Sequence, residues 1–230
     1  MEPLGHKVFA GGTLKQAIAK RGAHLSGLWI FQSPKNGRRF TLQGDLAYAF
    51  AVLAEGDLDI IRYEAEPPSV YASIDGEVRQ TKLDAFVTRR NNAIEWREYK
   101  WSSDATPART GRSGPQLSAQ AQAAQAAGVA YRVITEKDFR QKEILFDNWQ
   151  FLCAAINRVA GFTASKEIEI FERKFQTHGK LSLGDLLKID NTDPALILAL
   201  VAKSLQIGQL RCDLERALLT RSTVLERCQS

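Results

Sequence analysis

The chain has 230 residues, of which 44% are hydrophobic and 25% charged. That is an ordinary globular composition, with room for a sizeable core in one large domain or two small ones. The net charge of +5 and an isoelectric point near 9.1 favour an anionic partner such as nucleic acid, although many basic proteins bind none. Cys153, Cys212 and Cys228 are far apart and form no CxxC, which argues against a zinc knuckle or a disulfide framework and fits a reducing compartment. The opening "MEPLGHKVFAGG" has no apolar signal core and no stretch reaches the length of a membrane span, so a cytoplasmic protein with no membrane partner is expected.

In chain order, "TLKQAIAKR" (13–21) predicts a short helix with Thr13 near its cap. "SGLWIFQSPKNGRR" (26–39) predicts a strand running into a turn centred on Asn36-Gly37. In "GDLAYAFAVLAEGD" (44–57) the apolar Leu46, Phe50, Leu53 and Ala54 recur at helical spacing and Gly56 stops the run. Four strand candidates follow at 58–65, 68–74, 80–90 and 93–101. The second ends at Asp75-Gly76, a hairpin signal, and the last two flank the turn pair Asn91-Asn92.

A Gly/Ser/Pro loop (102–116) carries Arg109 and Arg112, an Ala/Gln-rich helix is expected over 117–130, and one more strand over 131–136. Helices and strands in this order imply a mixed sheet flanked by helices. After 137–161 the texture is helical: three short helices in "SKEIEIFERKF", "SLGDLLKI" and "DPALILALVAKSLQIG", then a strand or two in "QLRCDLERALLTRSTVLE". Three helices and a small hairpin make the shape of a winged helix. There are no internal repeats.

One group of residues carries chemistry. In "WREYK" (96–100), Glu98 and Lys100 share a face if the segment is a strand. Asp84, in "KLDAF" on the preceding strand, meets Glu98 only if residues whose numbers sum to 182 pair. That requires an odd-numbered loop or a bulge, because a two-residue loop puts the two acids on opposite faces. Two adjacent carboxylates raise each other's pKa, and a divalent cation removes that cost. Oxygen ligands suit Mg²⁺ or Mn²⁺, which would activate a water toward a phosphodiester, with Lys100 steadying the phosphate. A surface ion pair gives the same Glu-x-Lys pattern, and Asp…Glu-x-Lys recurs often by chance.

A longer comparison adds weight. The motifs "SPKNGRR" (33–39), "LAEGDLDIIRYEAEP" (53–67), "TKLDAF" (81–86) and "EYK" (98–100) resemble, in order and spacing, the TnsA family, the endonuclease subunit of heteromeric transposases. Its pattern runs "KNGR…ES-x-LE…LLEFDPDV…FEEQP…YTPDF…VEVK". The segment from Lys35 to Pro67 aligns without a gap, and "YRVITEKDFR" and the C-terminal segment fit the later elements.

The resemblance implies an α/β fold with a restriction-endonuclease-like mixed sheet flanked by helices. An N-terminal extension (1–25) precedes the nuclease core (26–137), and an all-helical, winged-helix-like domain (138–230) follows. It implies Asp84 and Glu98 as metal ligands, Lys100 as the catalytic lysine, and Mg²⁺ or Mn²⁺ as cofactor. The substrate would be double-stranded DNA at transposon ends, cut at the transposon's 5′ ends. The partners would be a DDE-type transposase, which cuts and joins the 3′ ends, and an AAA+ regulator.

The chain departs from the pattern at the helix acid, where Gln43, Gly44 and Ala47 stand. The glutamate is thus Ala47; Asp45 points about 200° away on a helix and Glu55 lies two turns on. "PDF" is weakened to "LDA". A catalytically weakened subunit that binds DNA and recruits partners is therefore the alternative, and a stand-alone restriction or repair nuclease a third.

Arg38 and Arg39 are candidate DNA contacts by the resemblance, and Arg109 and Arg112 are either phosphate grips or a solvated loop. Lys203, Arg211, Arg216 and Arg221 would meet DNA through a recognition helix and wing. Glu167, Glu169, Asp185 and Asp190 oppose that and equally suit protein docking. Trp96 and Trp101 are expected to pack in the core. His6, His24 and His178 are isolated, no Ser-His-Asp or Cys-His arrangement is visible, and no Gly-rich phosphate loop occurs.

Overall fold

The computed structural model describes residues 27–74, 77–105 and 113–228. The expected helix at 13–21 and the loop arginines Arg109 and Arg112 lie outside these. The chain divides into two compact units, one of residues 1–54 and 59–140, the other of Glu55–Leu58 and Gln141–Ser230.

The first unit is built on a four-stranded mixed sheet flanked by helices. β1 (Leu28–Ser33) and β2 (Arg38–Gln43) form an antiparallel pair. Gly37 sits at φ +62 in the turn between them, a conformation that suits a residue without Cβ. This turn docks on the next strand. Asn36 Oδ1 accepts the Tyr63 N–H at 3.1 Å and Lys35 Nζ donates to the Ile60 carbonyl at 2.6 Å. α1 (Asp45–Gly56) follows and buries Phe50, Ala51, Val52 and Ala54.

β3 (Ile60–Ala65), β6 (Ala85–Arg89), β7 (Ile94–Tyr99) and β8 (Ala130–Ile134) form the main sheet in that order. Its last pair is parallel and the others antiparallel. β4 (Val70–Ile74) and β5 (Glu77–Thr81) form a separate antiparallel pair. The single strand expected over 80–90 is therefore two pieces, parted at Lys82–Asp84. A short α2 (Ser102–Ala105) follows β7, and α3 (Ser113–Ala126) begins four residues before the predicted helix, inside the expected loop. Ala119 and Ala123 of α3 pack with Ala72 of β4 and with Trp96.

The second unit is helical with a small sheet. A 3₁₀ turn (Glu136–Phe139) ends the first unit, and α4 (Glu143–Arg158) opens the second. Next come α5 (Ser165–His178), β9 (Lys180–Ser182), α6 (Leu183–Leu186), α7 (Pro194–Gln206), β10 (Leu210–Arg211) and β11 (Val224–Arg227). The three strands pair in the order β10-β11-β9. Two features correct the sequence expectation of an all-helical unit of three helices. α4 is an additional long helix, and "SLGDLLKI" (182–189) is a single helical turn, Leu183–Leu186, preceded by the short strand β9 and capped by Ser182, whose Oγ accepts the Asp185 N–H at 3.0 Å. Asn148 of α4, buried, donates to the Leu214 and Ala217 carbonyls and accepts from the Leu219 N–H, holding the long β10–β11 connection. Among the described residues no helix is long and apolar enough to cross a membrane.

Candidate functional site

The β6–β7 hairpin has the odd register. Ala85 pairs with Arg97, Phe86 with Trp96, Val87 with Glu95 and Thr88 with Ile94. The Arg89 N–H reaches the Ala93 carbonyl at 2.9 Å, enclosing a three-residue loop in which Asn92 takes φ +63. Asparagine tolerates this left-handed conformation better than most residues. The pairing numbers sum to 182, so Asp84 and Glu98 fall on one face, and alternation puts Lys100 there too.

β7 carries a different group on each side. Arg97 is 6% exposed and Glu95 8%. Arg97 Nε donates to Glu95, as does the Arg89 guanidinium at 2.7 Å, and the Arg97 guanidinium lies 4.7 Å over the Phe50 ring. Burial works to raise the Glu95 pKa, but its bonds to Arg89 and Arg97 win and hold it below the usual carboxylate range.

On the other face Glu98 is 2% exposed and surrounded by donors. Lys100 Nζ lies 2.8 Å from Oε1, Gln116 Nε2 donates to Oε1 at 3.1 Å, and Gln120 Nε2 donates to Oε2 at 2.8 Å. Asp84 accepts the Tyr99 N–H at 2.6 Å through one carboxyl oxygen; the other accepts no hydrogen bond among the described residues. Burial pushes the Asp84 pKa up from 3.8 to about 7, with the Glu98 charge adding to it and the Tyr99 N–H and Lys100 opposing. Glu66, at φ +49 and paired with Lys82 at 2.9 Å, contributes a smaller push in the same direction.

Asp84 and Lys100 line a cavity of about 870 Å³. Its other walls include Gln43, Gly44 and Ala47 at the start of α1, with Glu66, Lys82, Tyr99 and Trp101. The three residues that stand where the resembling family carries its helix acid thus face the same space as Asp84. Ala47 is 9% exposed and presents a methyl group there. Asp45 also lines the cavity, where helical spacing predicts that it turns away from Ala47; its carboxylate accepts the Trp29 Nε1–H at 2.9 Å. Glu55 is fully buried and accepts from Gln206 at 2.8 Å inside the second unit.

Asp84 and Glu98 form an oxygen donor pair of the kind that suits Mg²⁺ or Mn²⁺, and a cation would offset both the burial and the Glu98 charge that raise the Asp84 pKa. The fit is sparse, for no group of three or more His, Cys, Asp or Glu side chains is placed to hold a metal among the described residues.

The remaining candidates are dispersed. Arg38 pairs with Glu64 at 3.2 Å and lies 5.0 Å over the Phe40 ring, and neither it nor Arg39 lines the cavity. Arg211 pairs with Glu226 at 3.0 Å, while Lys203, Arg216 and Arg221 are exposed. Glu167, expected among the opposing surface acids, is buried and accepts the Asp193 N–H at 3.3 Å. Trp96 packs as expected, stacked on Phe86 with ring centroids 5.3 Å apart. Trp101 does not: it is 50% exposed and stands at the cavity, because β7 ends at Tyr99 and the chain has left the sheet. Gln116 and Gln120 are the functional candidates that sequence reasoning missed; only their four-residue spacing signals a shared helix face. No protein-family model matches the chain, and no curated protein matches it.

Proposed function

We propose that the chain is a divalent-metal-dependent DNA endonuclease of the TnsA type, with a restriction-endonuclease-like first unit and a winged-helix-like second unit. It would cut double-stranded DNA at transposon ends alongside a DDE-type transposase and an AAA+ regulator. The observation that carries this reading is the register: Asp84 and Glu98 share one face, Lys100 is ion-paired to Glu98, and Asp84 and Lys100 open onto the cavity bounded by Gln43, Gly44 and Ala47.

Asp84 and Glu98 would hold Mg²⁺ or Mn²⁺, which supplies Lewis-acid polarisation of a phosphate oxygen and a water of lowered pKa. Asp84 offers the carboxyl oxygen left open beside the Tyr99 N–H bond. Lys100 presents its ammonium at the cavity wall, where charge on a scissile phosphate would develop. The partly buried walls limit water around these groups, which strengthens each interaction.

A second reading, a weakened subunit that binds DNA and recruits its partners, is favoured by Ala47, an apolar side chain where the family's third carboxylate stands. Supercoiled-plasmid nicking with Mg²⁺ or Mn²⁺ separates the two. Cleavage by the native chain that disappears in Asp84→Ala supports the endonuclease. Cleavage only after Ala47→Glu supports the weakened subunit, and none in either case removes the nuclease reading. Robust site-specific cutting with no transposase present indicates a stand-alone nuclease instead.

A further inference from the structure

We infer that Gln120, with Gln116 one turn before it and Tyr131 behind it, is a clamp that positions Glu98 for a divalent cation. This rests on the metal site proposed above and deepens it. Gln120 is fully buried, and both its amide donors and its amide oxygen are hydrogen-bonded. Its Nε2 donates to Glu98 Oε2 and to the Lys82 carbonyl, each at 2.8 Å, and its Oε1 accepts the Tyr131 hydroxyl at 2.7 Å. The Glu98 carboxylate and the Lys82 carbonyl can only accept, so they fix which way the amide faces: its N–H groups meet them and its oxygen is left to take the Tyr131 hydroxyl.

The bonds made by Nε2 have a geometric consequence. Lys82 lies two residues before Asp84, in the link between β5 and β6, and Glu98 lies on β7. One side chain therefore ties the backbone that carries the first acid to the carboxylate of the second. The two oxygens of Glu98 are also held differently. Oε2 belongs to Gln120, whereas Oε1 is shared by Gln116 and Lys100. Gln120 alone holds Oε2, and it keeps the carboxylate plane in place whichever oxygen a cation takes.

Manganese binding to the full chain, measured by titration calorimetry and by electron paramagnetic resonance of free Mn²⁺, tests this without reference to cleavage. Gln120→Met keeps the volume and the apolar contacts of α3 but removes both donors. Manganese affinity should fall about 10- to 100-fold, the usual loss when a ligand's orienting partner is removed. Tyr131→Phe, which removes the partner of the amide oxygen and loosens the side chain, should give a smaller loss in the same direction. Unchanged affinity in Gln120→Met, with native-like melting and wild-type binding intact, overturns the clamp and leaves the metal site standing. Absence of Mn²⁺ binding in the native chain overturns both. Should Gln120→Met not fold, Tyr131→Phe decides alone, and equal affinity there refutes the clamp.

Discussion

Asp84 sits in the folded protein with its pKa moved from 3.8 to about 7, chiefly by burial and then by the Glu98 charge. A raised carboxyl pKa means that the fold binds this proton more tightly than the unfolded chain does. The penalty for ionising it is absent below about pH 4, grows between pH 4 and 7, and is complete above pH 7. About three units at 1.36 kcal/mol each gives up to about 4 kcal/mol. Asp84→Asn removes the charge and keeps an oxygen able to accept the Tyr99 N–H. In chelator, denaturant unfolding from pH 4 to 8 should show the variant gaining on the native chain as pH rises, by up to about 4 kcal/mol across that range. Adding Mg²⁺ at 100 times its dissociation constant should stabilise the native chain by about 2.7 kcal/mol and the variant far less. A difference between the two chains that stays flat with pH would refute the reasoning, since Asp84 would then ionise as in the unfolded chain.

Lys100→Ala should lower plasmid nicking by about 100-fold or more while gel-shift affinity for DNA changes only a few-fold, because Gln116 and Gln120 still satisfy Glu98. Gly56→Ala should cost about 3 kcal/mol or more in thermal unfolding, since a Cβ there would lie 2.0 Å from the rigid Trp149 ring. Asn92→Gly should be neutral or stabilise by up to about 1 kcal/mol in denaturant titration, because φ +63 is strained for a residue with a Cβ. Asn148→Ala should destabilise the second unit by about 2–4 kcal/mol, monitored by hydrogen exchange, through two carbonyls and one N–H left without their partner.

The acids were legible in the sequence because alternation and turn chemistry are local. Asn91-Asn92 marked the reversal, and the parity of the loop then decided which side Asp84 faced. That parity was not legible, for it depends on Asn92 entering the left-handed region. Ala47 was placed by motif spacing, and a helix starting at Asp45 turns that position toward the cavity. Gln116 and Gln120 stayed hidden because their helix is mostly Ala and Gln, with no apolar stripe to orient it; only the contact with the sheet reveals that these amides point inward. β9 was missed because three residues give no period, and it pairs with β11 more than forty positions later. Trp101 was misjudged because a strand pattern gave no sign that β7 stops two residues earlier.

Strand β7 sorts its charges by side: Glu95 and Arg97 toward α1, Glu98 toward α3. Suppose the hairpin formed one position out of step. Glu95 and Arg97 would then turn over together and leave Arg89 without its buried acid, and Glu98 would be thrust toward the Phe50 side, away from the Gln116 and Gln120 amides that satisfy it. Each misplaced charge carries a desolvation penalty of several kcal/mol. The strand is thus proofread from above and below at once, and a chain that settles into its lowest-energy pairing has already brought its two acids to the same side.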